Sequence, residues 1–583
     1  MFHAVTLMTT FLAPGRKSLL ERGTAMKALQ TTVLLAGLLG AAAAPALARE
    51  CSQNACASRI SGIVSPGDAA QAQPISRAAV SIYEAREGAP LLRAAGRAMA
   101  NGAFRVTLPR QQRDVTRFAV AAKGPIELMT IMSAQDRPSV RINELTTVAS
   151  AYAMAQFISP KGISGKALPL RVAASMFRNL AAPAEGSVSQ VLEKSPNADE
   201  TNARRLVATL SNILASCARE ASEGACEALF HLTKIGKTSP ATTLQAAVSM
   251  ARNPANNLVD LFHLGDVTQP YQPALLPSQG PEAVEEFTRL DAFTLAVKVN
   301  ATGAKNAQGE ELCPFGGPGN LVFDPKGYAW ITNNVVQGQA GSSSCFYVLK
   351  PDGSPSDGAN GTPVSPLSGG GVLGQGFGIT RDPSGNIWAG NFGWGGVYPT
   401  GSVSKFSPKG EPLSPSSGYV STLDRVQGTT SDQSGNIWMA SYYGDSVHVF
   451  PKGNPFTRYP VFQDENTNPF HIVIDDKGAG WVSYTGTSAL SKFTLTKRGL
   501  VKQFTVPIGT AANPKGIAVD STGNVWATAG GESKVYAYDT DGHLLGGFSG
   551  GGITGPWGLS SDSKGNIWVA NLAPANSSIS STG

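Results

Sequence analysis

One histidine in the second half of the chain could do acid–base chemistry. His471 lies in the segment NPFHIVID, at a position where most of the equivalent segments have glycine. An imidazole titrates near neutral pH and can both accept and donate a proton. Asp445 is the acidic residue that we place nearest to it, on the neighbouring repeat. An ordinary surface histidine is the alternative reading of this position, and it remains open.

A second group of residues has the side-chain types that hold ligands. Aromatic and amide residues follow the ends of several predicted strands and differ from one repeat to the next. Such side chains around a concavity combine flat apolar surfaces with hydrogen-bonding groups, which suits a sugar, a peptide or a small aromatic ligand. The candidate ligand-binding residues are Asn333, Asn391, Trp394, Tyr442, Tyr443, Asp445, Tyr484, Lys515, Trp557 and Asn571.

The six cysteines of the chain fall into three local pairs. An even count in an exported protein favours disulfides, and free buried thiols are the alternative. None of the cysteines has zinc-type spacing with histidine, so we predict no metal site. The candidate disulfides are Cys51–Cys56, Cys217–Cys226 and Cys313–Cys345.

The motif D-x-x-G-x-x-W occurs six times, with successive tryptophans 58, 50, 43, 45 and 42 residues apart. We expect the repeated elements around this motif to form the scaffold that positions the candidate residues. A repeat in fixed phase at this length is typical of a solenoid, a propeller or an array. The copies are DPKGYAW (324–330), DPSGNIW (382–388), DQSGNIW (432–438), DDKGAGW (475–481), DSTGNVW (520–526) and DSKGNIW (562–568).

Each copy predicts a four-stranded antiparallel blade, so six copies predict a six-bladed β-propeller. A short apolar strand leads into the aspartate, and a tight turn, a strand around the tryptophan and two further strands follow. The last copy has only two clear strands before Gly583. The alternating stretch Phe293–Val299 therefore is expected to complete the sixth blade and close the ring, which removes two unpaired sheet edges.

The repeated residues themselves are interpreted as scaffold. The aspartate caps the turn, the glycine supplies a positive φ, and the tryptophan covers the face between neighbouring blades. The turn lies on the face of the propeller opposite to the loop after the tryptophan strand and the loop that enters the next blade. Function is usually carried by variable loops on a constant scaffold, so these two loops define the expected functional face.

The chain before the repeats predicts three further parts. Residues 1–48 read as a signal peptide, with Met26 the expected start, an apolar run over 31–44 and a small-x-small cleavage site at 46–48. Period-two patterns, as at Phe104, Val106 and Leu108, predict a β-sandwich over 58–125. Helical stripes such as Leu206 to Cys217 predict an α-helical domain over 143–265. A Pro- and Gln-rich linker (266–288) leads into the propeller (289–583). The fold class is thus multidomain and mainly β.

Composition excludes some classes of function. A net charge of +6 over 583 residues, without a basic block, does not suggest a nucleic-acid binder. After the signal, no stretch approaches the length of apolar chain that spans a bilayer. We therefore expect an exported protein, periplasmic or secreted, with no nucleic-acid partner and no membrane span.

The motifs resemble two known groups of proteins. The G-[IL]-x-x-D-x-x-G-N-x-W pattern, over about 290 residues, is similar to NHL repeats and to the virginiamycin B (streptogramin) lyase family, both of which form propellers. The run ISGIVSPG…NGAFRVTLP resembles the carboxypeptidase regulatory-like domain, an immunoglobulin-like module that implies a spacer role. The lyase resemblance implies a catalytic histidine with glutamates and magnesium, and His471 matches that histidine by position. The implied glutamates have no counterpart in this sequence.

The sequence therefore predicts a non-catalytic binding protein that recognises a protein, peptide or glycan through the variable face. The main alternative is a streptogramin lyase-like carbon–oxygen lyase with His471 as its catalytic residue. A purely structural cell-envelope protein, in which neither face binds a small ligand, is a third class that stays open. No cofactor is expected for the binding protein, and magnesium is expected only for the lyase.

Overall fold

The computed structural model describes residues 56–67, 73–109, 115–132, 139–220, 222–284, 289–315, 317–334, 344–393, 401–420, 422–456, 459–562 and 565–572. Within these ranges the fold is mainly β, with helices between an N-terminal pair of sheets and a C-terminal series of sheets. The predicted signal peptide (1–48), Cys51, the side chain of Cys56 and Trp394 lie outside the described residues, so the predictions on them stay predictions.

Two sheets form the N-terminal part. Phe104, Val106 and Leu108, which alternate in sequence, are all buried in the core between the sheets, as their pattern predicts. One sheet has the order Ala103–Pro109, Cys56–Val64 and Ser139–Ile142, and the other has the order Leu91–Arg97, Ala79–Glu84, Arg117–Lys123 and Ile126–Met132.

The helices pack on the outer side of the four-stranded sheet, where Phe118, Met129 and Ile131 join the same core as Leu145 and Leu210. Short two-stranded hairpins at Ile158–Ser159 with Gly162–Ile163, and at Ala181–Ala182 with Ser187–Val188, connect some of them. The helices are α1 (Glu144–Met154), α2 (Ala167–Leu180), α3 (Gln190–Glu193), α4 (Ala203–Ala218), α5 (Ala225–Leu232), α6 (Thr243–Arg252) and α7 (Leu258–Leu264).

Two of the three predicted disulfides are confirmed. Cys217–Cys226 joins the end of α4 to α5. Cys313–Cys345 joins the segment that enters the first propeller sheet to the third strand of that sheet. Both therefore hold elements close in sequence, as the local spacing of the cysteines indicated.

The predicted linker 266–288 is not a loose connection where the structure describes it. The backbone N–H of Tyr271 donates to Asn212 Oδ1 (3.0 Å), and its hydroxyl donates to Glu144 Oε2 (2.6 Å). Tyr271 is buried in the helical core, and a 3₁₀ turn follows at Pro277–Gln279. Proline-rich composition predicted the irregular backbone, but it could not show that a tyrosine packs into the neighbouring core.

Six small antiparallel sheets follow one another within the described part of the C-terminal half, and we number them propeller sheets 1 to 6. Each begins with an inner strand that pairs with the tryptophan strand, the arrangement of propeller blades. Their strands are Gly317–Phe323, Ala329–Asn334, Cys345–Leu349 and Leu367–Ser368 (sheet 1); Gln375–Arg381, Ile387–Asn391 and Ser402–Phe406 (sheet 2); Val426–Ser431, Ile437–Ser441, Ser446–Phe450 and Val461–Gln463 (sheet 3); Pro469–Ile474, Gly480–Tyr484, Ala489–Thr496 and Gly499–Pro507 (sheet 4); Ile517–Val519, Val525–Ala529, Lys534–Tyr538 and Leu544–Phe548 (sheet 5); Pro556–Ser561 and Ile567–Asn571 (sheet 6).

The predicted scaffold role of the repeat is confirmed, with one addition. In every copy one carboxylate oxygen of the aspartate accepts the backbone N–H four residues later, at 2.8 to 3.0 Å. The other oxygen accepts the indole Nε1–H of the repeat tryptophan at 2.8 to 3.4 Å. The glycines have φ between 79° and 88°. The tryptophans pack against the following sheet, as Trp388 does with Val426 and Ile437.

The prediction that Phe293–Val299 closes the sixth blade is wrong. This segment is not a strand, and Phe293 is fully buried in the helical core, where its carbonyl accepts the hydroxyl of Tyr152 (2.8 Å). Leu295 and Val297 pack against the same core. The alternation correctly indicated that one face of the segment is buried, but this face meets helices rather than a neighbouring strand.

Within the described ranges, no helix combines the length and apolar character required to cross a bilayer.

Candidate functional site

The inner strands of the propeller sheets share one register position that faces a common centre. The residues five positions before the repeat aspartates are Gly319, Phe377, Gln427, Phe470, Lys515 and Trp557. The rings of the three aromatic residues meet, with centroids 5.2 Å apart for Phe377–Phe470, 5.5 Å for Phe377–Trp557 and 6.1 Å for Phe470–Trp557. Because these residues come from sheets 2, 4 and 6, the inner strands of these three sheets face a common centre.

These central rings lie at the face of the propeller that the sequence indicated. In sheet 6, Pro556 at the start of the inner strand pairs with Asn571 at the end of the tryptophan strand, and Ser561 pairs with Ile567 beside the repeat turn. In sheet 3, Val426 pairs with Ser441 in the same way. The variable loops and the central rings therefore share one end of the sheets, and the D-x-x-G turns lie at the other end.

Further aromatic rings extend from this centre over sheets 2 and 3. The Tyr442 ring is 6.1 Å from Phe470 and 5.1 Å from Tyr443, measured between centroids. Phe392 lies 5.9 Å from Tyr442 and 6.0 Å from Tyr443. We call this combined cluster of rings the aromatic face, and it consists of Phe377, Phe392, Tyr442, Tyr443, Phe470 and Trp557. Tyr443 is exposed, Phe377, Tyr442 and Trp557 are partly exposed, and Phe392 and Phe470 are buried beneath them.

Two cations lie against the aromatic face. The guanidinium of Arg425 is 5.0 Å from the Tyr443 ring and 5.3 Å from the Phe392 ring. The ammonium of Lys515 is 4.5 Å from the Phe470 ring and 5.2 Å from the Trp557 ring. All four distances are within the range of cation–π attraction. The face thus combines flat apolar surfaces with positive charge.

Lys515 also borders a small cavity of about 150 Å³ between sheets 5 and 6. Burial lowers the pKa of its ammonium to about 8, because removal from water disfavours the charged form. Among the described residues, no hydrogen bond or ion pair of Nζ is found. The cavity is lined by Asn513, Lys515, Gly530, Gly555, Pro556, Trp557 and Leu572.

His471 occupies a position where close approach of neighbouring inner strands otherwise favours glycine. A Cβ on Gly378 would come within 2.0 Å of the backbone nitrogen of Thr429. The His471 ring fits at this position, and its Nδ1 accepts the backbone N–H of Ile517 (3.2 Å). Burial lowers the pKa of this imidazole to about 4, so it is neutral at pH 7 with its proton on Nε2.

No carboxylate makes a hydrogen bond or an ion pair with the His471 ring among the residues that the structure describes. Asp445, which we placed nearest from the sequence, accepts the backbone N–H groups of Thr467 (3.0 Å) and Asn468 (2.8 Å) instead. Its role there is to hold the loop that enters sheet 4. A search of the described residues finds no group of three or more His, Cys, Asp or Glu side chains placed to hold a metal ion.

The remaining predicted residues divide into accessible and internal positions. Tyr443 is 56% exposed, and Tyr442, Lys515 and Trp557 are partly exposed on the site. The three amide side chains instead form hydrogen bonds within the fold: Asn333 donates to Pro314 O (3.0 Å), Asn391 to Ser402 Oγ (2.9 Å) and Asn571 to Gly552 O (2.8 Å). Tyr484 is buried.

Sequence reasoning missed Phe377, Phe470 and Gln427, although a signal for them was present. Lys515 and Trp557 were selected because they stand beside glycines at the blade entries. Reading the same register position in all six copies gives the complete central set. Phe392 is recoverable in the same way, because it follows its repeat tryptophan by four residues, as Tyr442 does in the next copy. Arg425 has no such signal, because no other copy has a charged residue at its position.

No protein-family model and no curated protein sequence matches the chain. Among solved structures, virginiamycin B lyase from Staphylococcus aureus is similar, with 17% identity over 44% of this chain and 78% of that chain and a TM-score of 0.34. A streptogramin B lyase structure is 16% identical over 44% of this chain and 91% of that chain, with a TM-score of 0.33. A protein of unknown function from Bacteroides caccae is 11% identical over 42% of this chain and 85% of that chain, with a TM-score of 0.30. At such low identity and TM-score, the similarity supports no conclusion about activity or ligand.

Proposed function

We propose that this chain is an exported, non-catalytic binding protein that recognises a protein, peptide or glycan partner through the aromatic face of a six-bladed propeller. The observation that carries the proposal is the unbroken set of six aromatic rings with two cations against it. This set lies at the end of the sheets where the repeats differ from one another.

The chemistry of this surface favours recognition of a partner. Aromatic side chains bring a large contact area at low cost in side-chain entropy, and Tyr, Trp and Arg supply much of the binding energy at interfaces. Tyr443 presents more than half of its surface to solvent, and Arg425 lies against its ring. The accessible part of the face consists of Tyr443 with the partly exposed Phe377, Tyr442 and Trp557, and Phe392 and Phe470 pack beneath them. Neighbouring aromatic side chains that stay accessible in this way are typical of an interaction site.

The rest of the chain is consistent with an exported protein that presents the propeller. The signal-like residues 1–48 support export, as do the two disulfides, since such bonds persist in oxidising compartments. The helical part contacts propeller sheet 1, where the side-chain amide of Asn179 in α2 donates to the carbonyl of Asp352 (2.8 Å). This contact supports a structural role for the N-terminal parts, in which they hold the propeller in place.

The test is capture on glycan and peptide arrays by the full chain. Wild type should bind a defined subset of ligands, and the double variant Trp394→Ala/Tyr443→Ala should lose that binding. Phe456→Ala is the matched control, because Phe456 is 82% exposed but makes its ring contact with Tyr419, away from the aromatic face. Unchanged capture by the double variant, or equal loss in the control, would contradict the proposal.

A lyase of the streptogramin type is the second candidate, and the position of His471 at a blade entry is the observation that favours it. Such an enzyme should open a cyclic depsipeptide in a magnesium-dependent reaction that His471→Ala abolishes. The unprotonated nitrogen of the neutral imidazole, Nδ1, accepts the backbone N–H of Ile517, so the ring could act as a base only if it released this hydrogen bond. Absence of turnover with purified protein and magnesium would remove this candidate.

A further inference from the structure

Lys515 carries a charge that the described structure leaves without an anionic partner. Two other lysines that lie against aromatic rings have acceptors: Lys492 donates to Thr540 O (2.7 Å), and Lys502 bonds to Asp464 (2.8 Å). Around Lys515 the groups within reach are the faces of Phe470 and Trp557. An ammonium that is already partly desolvated loses less hydration when an anion arrives than a fully solvated one.

The space beside this ammonium is small and mostly apolar. Pro556, Trp557 and Leu572 supply apolar walls, and Asn513 supplies a polar group. Drug-sized ligands occupy pockets of roughly 300 to 1,000 Å³, whereas an engineered apolar cavity of about 150 Å³ in another protein accepts a single benzene ring. The volume here, about 150 Å³, therefore fits one ring or a short apolar chain.

We infer that this cavity is a subsite for a small organic carboxylate, whose anionic group meets Lys515 and whose flat or short apolar body lies against Trp557. The geometry supplies one positive charge, one aromatic wall and room for a single ring, and that combination matches a monocarboxylate such as an aryl acid. This inference rests on the proposed binding function, because it assigns a ligand class to one part of the same face.

Benzoate is the probe, and benzamide, its neutral counterpart of the same shape, is the ligand control. Titration calorimetry with the full chain should show benzoate binding at least about tenfold more tightly than benzamide, since a hydrogen bond to a charged group is worth more than a neutral one. Lys515→Met should weaken benzoate binding at least about tenfold and bring it to the level of benzamide.

Lys405→Met is the matched protein control. Lys405 also lies over a tryptophan, with its ammonium 4.6 Å from the Trp388 ring, but it is not part of the cavity lining. It should leave benzoate affinity unchanged. Lys515→Arg keeps the charge and should retain charge-dependent binding, which separates loss of charge from loss of fold.

Three outcomes would overturn the subsite: no benzoate binding by wild type, equal affinity for benzoate and benzamide, or an unchanged affinity in Lys515→Met. Array capture without benzoate binding would remove the subsite and leave the proposed function in place. Benzoate binding that depends on Lys515, without array capture, would support the subsite and count against recognition of a larger partner.

Discussion

Replacing Asp475 by alanine tests the scaffold role of the repeat, because this buried carboxylate accepts three N–H groups and also pairs with the ammonium of Lys492 (3.8 Å). Its Oδ2 accepts the indole N–H of Trp481 (2.9 Å), and its Oδ1 accepts the backbone N–H groups of Lys477 (3.0 Å) and Ala479 (2.8 Å). Asp475 is 4% exposed, and Trp481 is fully buried. Alanine would leave the indole and the Ala479 amide without an acceptor inside the fold.

The expected cost is about 3 kcal/mol in local stability, because each buried donor left without a partner costs about 1 to 3 kcal/mol. A chain with several folded parts does not unfold in one step, so a single free energy of unfolding is not defined. Native-state hydrogen exchange measures local opening instead. Exchange of the strand Gly480–Tyr484 should accelerate by about a hundredfold in Asp475→Ala.

Asp539→Ala is the matched control for this measurement. Asp539 caps a similar turn by accepting the backbone N–H groups of Asp541 (2.9 Å) and His543 (2.9 Å), but it holds no tryptophan. Exchange of the strand Lys534–Tyr538 should change far less in this variant. Equal acceleration in the two variants, or none in Asp475→Ala, would refute the reasoning that the aspartate–tryptophan bond stabilises the blades.

Three further perturbations have defined outcomes. Glu144 is fully buried, and burial raises the pKa of its carboxyl group, so its stabilising contribution is present at low pH and is lost as the pH rises through the raised pKa. Hydrogen-exchange protection of α1 in Glu144→Gln should therefore increase relative to wild type as the pH rises above the ordinary pKa of 4.5. A difference that stays constant with pH would contradict this. Gln427 is 4% exposed, and its Oε1 has no hydrogen-bond partner in the described structure. Gln427→Leu should therefore raise the local stability of sheet 3 by about 1 kcal/mol, measured by hydrogen exchange. A loss of stability would show that the amide is needed. Burial lowers the pKa of Lys515 to about 8, with no neighbouring charge contributing. NMR of ¹³C-methylated lysines should therefore show one signal that titrates with a pKa of about 8 and that Lys515→Met removes. Titration of every lysine signal near the ordinary pKa of about 10.4 would contradict this prediction.

The scaffold could be predicted from the sequence because each repeat residue acts within its own turn. Asp382 caps the turn that contains Gly385, and Trp388 follows at a fixed distance, so the roles depend on local spacing. The bond between the indole and the carboxylate was missed, because two side chains six residues apart meet only when the strands are paired.

The candidate site was predicted only in part, because side-chain burial depends on contacts between blades. Asn391 and Tyr443 both follow a tryptophan strand, yet Asn391 bonds to Ser402 and is buried while Tyr443 is exposed. Composition does not distinguish these positions. The central Phe377 and Phe470 were recoverable, since they occupy the register position of Lys515 and Trp557, which the sequence analysis already selected.

The tryptophans of the chain allow one direct measurement of the central claim. Of the eight, six belong to the repeat phrase, and the other two, Trp394 and Trp557, are the tryptophans assigned to the variable face. In protein labelled with 5-fluorotryptophan, ¹⁹F NMR resolves them individually, and Trp394→Phe and Trp557→Leu assign the two. On saturation with a ligand selected from the array, the Trp394 or Trp557 signal should shift while the six repeat signals stay fixed. Shifts confined to the repeat tryptophans would place the site on the scaffold and contradict the account.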